Sequence, residues 1–334
     1  MDILEFFEAS LLNISVLATL FFWGAWGIFD KLALRYAAPM AVMIAINCLV
    51  PFLPPLIYYF LAEKGLLSNI TPEVLFWSFL AGLSYFVAML LYLWALNIAE
   101  ASFVLGITSA YPVVLQFLST ATLNEPLVPV RIVGSFLSFV GVMAIGFSRK
   151  KMNSGLKTDL KTGSTWALWT AIFFTTVLWG IWGIFDKKAL NLCGAIEVMF
   201  CQVLFDLLFT LVLLILVALF VTSKNEKLKS KYQTLLVPGK ELVSFHSFIA
   251  QFKQRRIWIP CLLSSICLYA GAATYLVALS RATASYVVVI TGCYPLIMYF
   301  FALLLLKEGF NRIRFLGIVL ITVGAILTQT TQRL

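Results

Sequence analysis

The chain has 334 residues, 62% of them hydrophobic and 12% charged, with a mean hydropathy of +0.98 and a net charge of +9. A water-soluble domain carries about 25% charged residues, so the composition excludes a soluble globular protein. The positive excess sits in loops, which favours contact with a membrane surface over nucleic-acid binding.

Ten stretches free of Asp, Glu, Lys and Arg follow in order: 9–29, 36–62, 74–99, 101–124, 132–148, 162–185, 207–223, 257–280, 282–306 and 315–332. A bilayer core takes about 20 residues of helix, so the expected fold is an all-α multi-pass membrane protein with ten transmembrane helices. The acidic start, MDILEFFEAS, lacks the basic segment of a cleaved leader, and the first span is expected to be retained. All six cysteines lie in or beside apolar stretches without metal-ligand spacing, so they read as packing residues. No metal and no cofactor is expected.

The first span closes on WGAWGIFDKLAL (Trp23–Leu34), and Trp179–Leu190 repeats it as WGIWGIFDKKAL, 156 positions later. Further along, Leu96–Ser102 matches Leu279–Ser285 at a spacing of 183, which also pairs Tyr111-Pro112 with Tyr294-Pro295 and Glu125 with Glu308. The second copy is thus 27 residues longer, and the excess falls in the connection 222–256. Residues 9–148 form one five-span repeat, 149–161 a basic connecting loop, and 162–332 the second repeat with its 222–256 insertion. Within the insertion, Leu242, Phe245, Phe248, Ile249 and Phe252 recur at helical spacing. That stripe suits either a helix lying on the membrane or an ordered linker. Because five is odd, the second repeat enters the membrane from the opposite side. Inverted repeats of this kind place a substrate site between the halves, near the midplane.

These features resemble the drug/metabolite transporter superfamily, in particular its EamA-like ten-span carriers. The likeness rests on the two WGxWGIFDK motifs, the A-x-A-S runs, the Tyr-Pro steps, the Glu-bearing turns and the glycine-spaced fifth spans. It implies a secondary carrier of small organic metabolites that works by alternating access. Its cavity would be lined mainly by spans one, three, four, six, eight and nine.

Trp23, Trp26 and Asp30 share one face of the first span, and Trp179, Trp182 and Asp186 share the same face of the sixth. The four indoles are candidates for a cavity wall, with interfacial anchoring as the competing role. Asp30-Lys31 and Asp186-Lys187 are candidate gating or ion pairs, or ordinary charged span ends. Tyr111 and Tyr294 precede prolines that should bend spans four and nine, and so become cavity candidates together with Asn47, Gln116 and Gln202. Asp206 is the coupling candidate: it sits well inside an apolar run, and its repeat counterpart is Val50. Gly134/Gly141 and Gly317/Gly324 read as packing faces, between halves or between two copies in a homodimer.

The expected partners are a small-molecule substrate and the lipid bilayer, with no nucleic acid. The location is an integral, multi-pass position, with the plasma membrane preferred to an organelle membrane. A cation channel or divalent-cation transporter is the alternative function. An enzyme is not expected, because no HExxH, GxSxG or P-loop pattern is present. Of the 24 Lys and Arg, 18 follow odd-numbered spans, which by the positive-inside rule puts both termini outside; the family resemblance implies the opposite orientation.

Overall fold

A segment in lipid must satisfy its backbone polar groups internally, so uninterrupted apolar sequence resolves into helices. The computed structural model describes residues 3–123, 129–148, 162–223, 229–230, 232–237, 243–283, 287, 291 and 293–329. Every regular element among them is helical. In the first half these are α1 (Ile3–Ala33), α2 (Pro39–Cys48), α3 (Leu53–Glu63), α4 (Pro72–Ile98), α5 (Ala101–Thr108), α6 (Tyr111–Thr122) and α7 (Pro129–Phe147). The second half has α8 (Thr162–Leu190), α9 (Ala195–Thr222), α10 (Gln233–Leu236), α11 (Phe245–Lys253), α12 (Arg255–Arg281), α13 (Tyr294–Phe301) and α14 (Arg312–Gln329).

Among the described residues, seven segments are long and apolar enough to cross a membrane: Leu11–Ala33, Pro39–Glu63, Pro72–Ile98, Ala101–Thr122, Trp166–Leu190, Ala195–Thr222 and Arg255–Arg281. Two of them are broken. α5 stops at Thr108, and α6 restarts at Tyr111 with Pro112 in its first turn, where a missing N–H costs nothing. The bend foreseen at this Tyr-Pro step is therefore a true helix break, and α13 begins in the same way at Tyr294. A second break, between Cys48 and Leu53, comes from Pro51, Pro54 and Pro55 and has no counterpart in the unbroken α9.

The two halves interleave. α1 packs along α12, α4 along α8, and α7 along α14. At the last crossing a Cβ on Gly141 would lie 2.4 Å from Gly317 O, and one on Gly324 would lie 2.4 Å from Gly134 O. The glycine faces therefore join the halves of one chain to each other. The six cysteines are free.

The insertion is docked on the bundle. The first N–H groups of a helix lack internal partners, and Ala38 N, just ahead of α2, donates to Gln251 Oε1 at 2.8 Å. Gln251 Nε2 in turn donates to Leu236 O at 2.7 Å. Phe248 is buried beneath α11, while Phe245 and Ile249 stay exposed on its outer side. Leu242 lies outside the described residues.

Candidate aromatic cavity

The repeated motif alternates two kinds of surface. A Cβ on Gly24 would lie 2.7 Å from the Ile297 side chain, and one on Gly180 would lie 2.8 Å from that of Val114. Each glycine thus lets its helix approach the broken helix of the other half. The tryptophans beside them turn inward and are buried: Trp23 meets Trp182 at a centroid separation of 5.9 Å, and Trp26 meets Trp179 at 5.9 Å.

Each indole pair gains a tyrosine. Tyr275 lies 5.0 Å from Trp23 and 5.4 Å from Trp182, while Tyr92 lies 5.2 Å from Trp26 and 5.5 Å from Trp179. Tyr92 and Tyr275 are themselves 183 positions apart, so the two triads exchange under the repeat. Tyr111 packs edge-on to Trp179 at 6.1 Å and Tyr294 edge-on to Trp23 at 6.4 Å, again as counterparts. Sequence reasoning missed Tyr92 and Tyr275, although their spacing was there to be found.

Between these rings lies a cleft of about 710 Å3, its open mouth included, of which only about 50 Å3 is roomy enough for water-sized molecules. The accessible part is well below the volume of a typical small-molecule site and has space for only a few waters. The aromatic walls have closed on one another. Trp23, Trp26, Trp179, Trp182, Tyr111, Tyr294, Gln202 and Asp206 all line the cleft. Tyr85 and Tyr269 line it too and carried no repeat signal, because their counterparts are Leu268 and Phe86.

Two expected lining residues lie elsewhere. Gln116 Oε1 accepts from Ser135 Oγ at 2.5 Å, which ties α6 to α7. Asn47 stands behind the wall: its Nδ2 donates to Thr210 Oγ1 at 2.7 Å, and its Oδ1 accepts from Tyr269 at 3.2 Å. Thr210 Oγ1 donates to Asp206 O at 2.7 Å, so Asn47 braces the helix turn that carries Asp206. Asp206 is 8% exposed, and its Oδ1 has no hydrogen-bond partner among the described residues. It stands eleven residues into α9, about 16 Å along the helix.

The Asp-Lys steps do not form ion pairs. Asp30 accepts from Ser264 Oγ at 2.5 Å and Asp186 accepts from Gln202 Nε2; both carboxyls are wholly buried. The lysines turn the other way. Lys31 Nζ donates to Leu96 O at 2.5 Å and to Ala99 O at 2.7 Å. Lys187 Nζ donates to Leu279 O and Ala282 O, both at 2.8 Å. Each ammonium meets the orphan carbonyls that end a neighbouring helix, where the helix dipole favours a cation. The side chains of adjacent residues diverge along a helix, so an Asp-Lys dipeptide is a poor ion pair.

One end of the bundle carries a tie between halves. Arg314 Nη2 lies 2.5 Å from Glu100 Oε2, and Glu308 Oε1 accepts from Ala101 N at 2.9 Å. Glu308 thereby caps α5. Its counterpart Glu125 lies outside the described residues.

A model of the EamA-like transporter family matches the chain twice, over residues 11–147 and 165–330. The chain belongs to the EamA-like transporter family. It is thus an integral membrane protein from a family of transporters, not of enzymes. No curated protein matches its sequence. A solved structure, described only as the crystal structure of a protein, is 11% identical and aligns over 97% of this chain and 98% of that one, with a TM-score of 0.64. At that identity the likeness is one of fold alone.

Proposed function

We propose that this EamA-like protein is a secondary carrier of small organic metabolites, built as two inverted five-span repeats, ten spans in all, that rock about the aromatic cavity. The observation that carries this reading is the pairing of Trp23 with Trp182 and of Trp26 with Trp179. Each pair draws one indole from each half, so any rocking of the halves opens or closes the walls of the site. The sequence has no P-loop, so the driving force is an ion or solute gradient. The four tryptophans, Tyr111, Tyr294 and Gln202 hold the substrate, and Asp206 couples its movement to protons. Residues 9–148 and 162–332 are the two moving units, and the plasma membrane is the proposed location.

The divalent-cation alternative has less support. A cation pathway needs grouped carboxylates, but Glu197, nine residues before Asp206 on α9, accepts from Asn69 Nδ2 at 3.1 Å and does not line the cavity. Uptake of a metabolite panel into vesicles containing the purified protein tests the carrier reading. Saturable, protein-dependent accumulation of an organic solute is expected; metal-ion flux without any organic solute would favour the alternative.

A further inference from the structure

The cavity has one sign of charge. Its walls carry the rings of Trp23, Trp26, Trp179 and Trp182 with Tyr85 and Tyr269, and an aromatic ring can receive a cation over its face, the negative side of its quadrupole. Asp206 is the one carboxylic acid among the described lining residues, nine-tenths buried and with Oδ1 unpartnered among the described residues. No Lys or Arg lines the cleft among the described residues. Three cations of the bundle are engaged elsewhere: Lys31 and Lys187 are bound to helix-end carbonyls, and Arg314 to Glu100. Residues 282–306, which include the Tyr294 that packs against Trp23, contain no charged residue at all.

An anion would find N–H and O–H donors on Trp26, Trp179, Tyr85, Tyr111 and Tyr294, but it would face the Asp206 carboxyl with no cation among the described lining residues to balance it. A divalent metal ion needs six or more oxygen ligands, or about four nitrogen or sulfur ligands, and a single carboxyl does not supply them. A flat or methylated ammonium group fits both features, since rings within about 6 Å attract it and one carboxylate balances it. The limited free space favours a compact head.

We infer that the cavity binds a small organic cation with an ammonium head, seated among the four tryptophans with its charge facing Asp206. This deepens the carrier reading, on which it rests for transport but not for binding.

Three solutes of nearly one shape and different charge test the inference: choline, 3,3-dimethylbutan-1-ol and 3,3-dimethylbutanoate. Binding is read from tryptophan fluorescence of the whole protein in nanodiscs of choline-free lipid. Choline is expected to bind about tenfold tighter than the neutral alcohol, and the acid more weakly than either. Asp206→Asn should remove the preference for choline, so that choline and the alcohol bind alike. Equal affinity for the alcohol, tighter binding of the acid, or no saturable signal from any of the three would overturn the inference; the series on the unaltered protein stands even if the variant does not fold. Vesicle uptake separates the two claims. Choline that binds but is not carried removes the carrier reading alone, and a neutral or anionic solute carried without any cation preference removes the substrate class alone.

Discussion

The indoles of Trp23 and Trp182 stand 5.9 Å apart across the boundary between the two halves, and the repeat maps this contact onto Trp26 and Trp179 at the same separation. A duplicated sequence has thus produced a duplicated contact, and the aromatic cavity lies between the copies. Trp26→Ala and Trp182→Ala should each weaken substrate binding roughly fivefold to thirtyfold, the range that one lost aromatic or cation–π contact gives. Titration of the variants with the best solute from the uptake panel checks this, and unchanged affinity in both would return the indoles to a packing role.

The lysines of the motif cap helices. Lys31→Met or Lys187→Met should each cost about 1–3 kcal/mol of stability, because two helix-end carbonyls lose a charged donor. Thermal unfolding in detergent measures the loss. A double-mutant cycle between Asp30→Asn and Lys31→Met should be additive to within a few tenths of a kcal/mol; strong coupling would mean the two residues act as a pair after all.

Gly141 permits the crossing of α7 and α14. An added methyl there would lie 2.4 Å from Gly317 O, backbone that cannot move aside cheaply. Gly141→Ala should therefore destabilise by about 3 kcal/mol or more. Gly309→Ala is the control: nothing lies within 4 Å of its added Cβ, and its stability should change by less than about 1 kcal/mol.

Removing the clamp of the insertion should loosen it without touching the cavity. Gln251→Ala strips the Ala38 N–H and the Leu236 carbonyl of their partner. Limited proteolysis should then cut the 222–256 connection faster, while the binding of cavity ligands stays within about twofold. Equal loss of binding would show that the insertion shapes the site.

Coupling is assigned to one carboxyl. Asp206→Asn should abolish the dependence of uptake on an imposed pH gradient while facilitated movement of substrate persists. Proton-coupled uptake that survives the substitution would take Asp206 out of the mechanism.

Much of this was legible in the sequence because the repeat exposes it. Residues under two copies of one constraint, such as Trp23 and Trp179 or the Tyr-Pro steps, announce themselves twice. Gln116 misled because a buried amide whose oxygen is held by Ser135 looks, in sequence, like one facing a substrate. Tyr85 and Tyr269 were invisible because the halves differ there, and a tyrosine in an apolar run gives no sign of which face it takes. The Lys31 contacts join residues 65 and 68 positions apart and depend on where α4 ends in space, which periodicity does not record.

Alternating access is the central claim, and Ala272, a small residue lining the cavity, reports on it without knowledge of the substrate. Ala272→Cys in a cysteine-free background can be challenged with a membrane-impermeant thiol reagent from each side of sealed vesicles. Two-sided access predicts labelling from either face, each blocked by prior labelling from the other, and a shift in the two rates when substrate is added. Labelling from one face alone, whatever the solute or gradient, would contradict it.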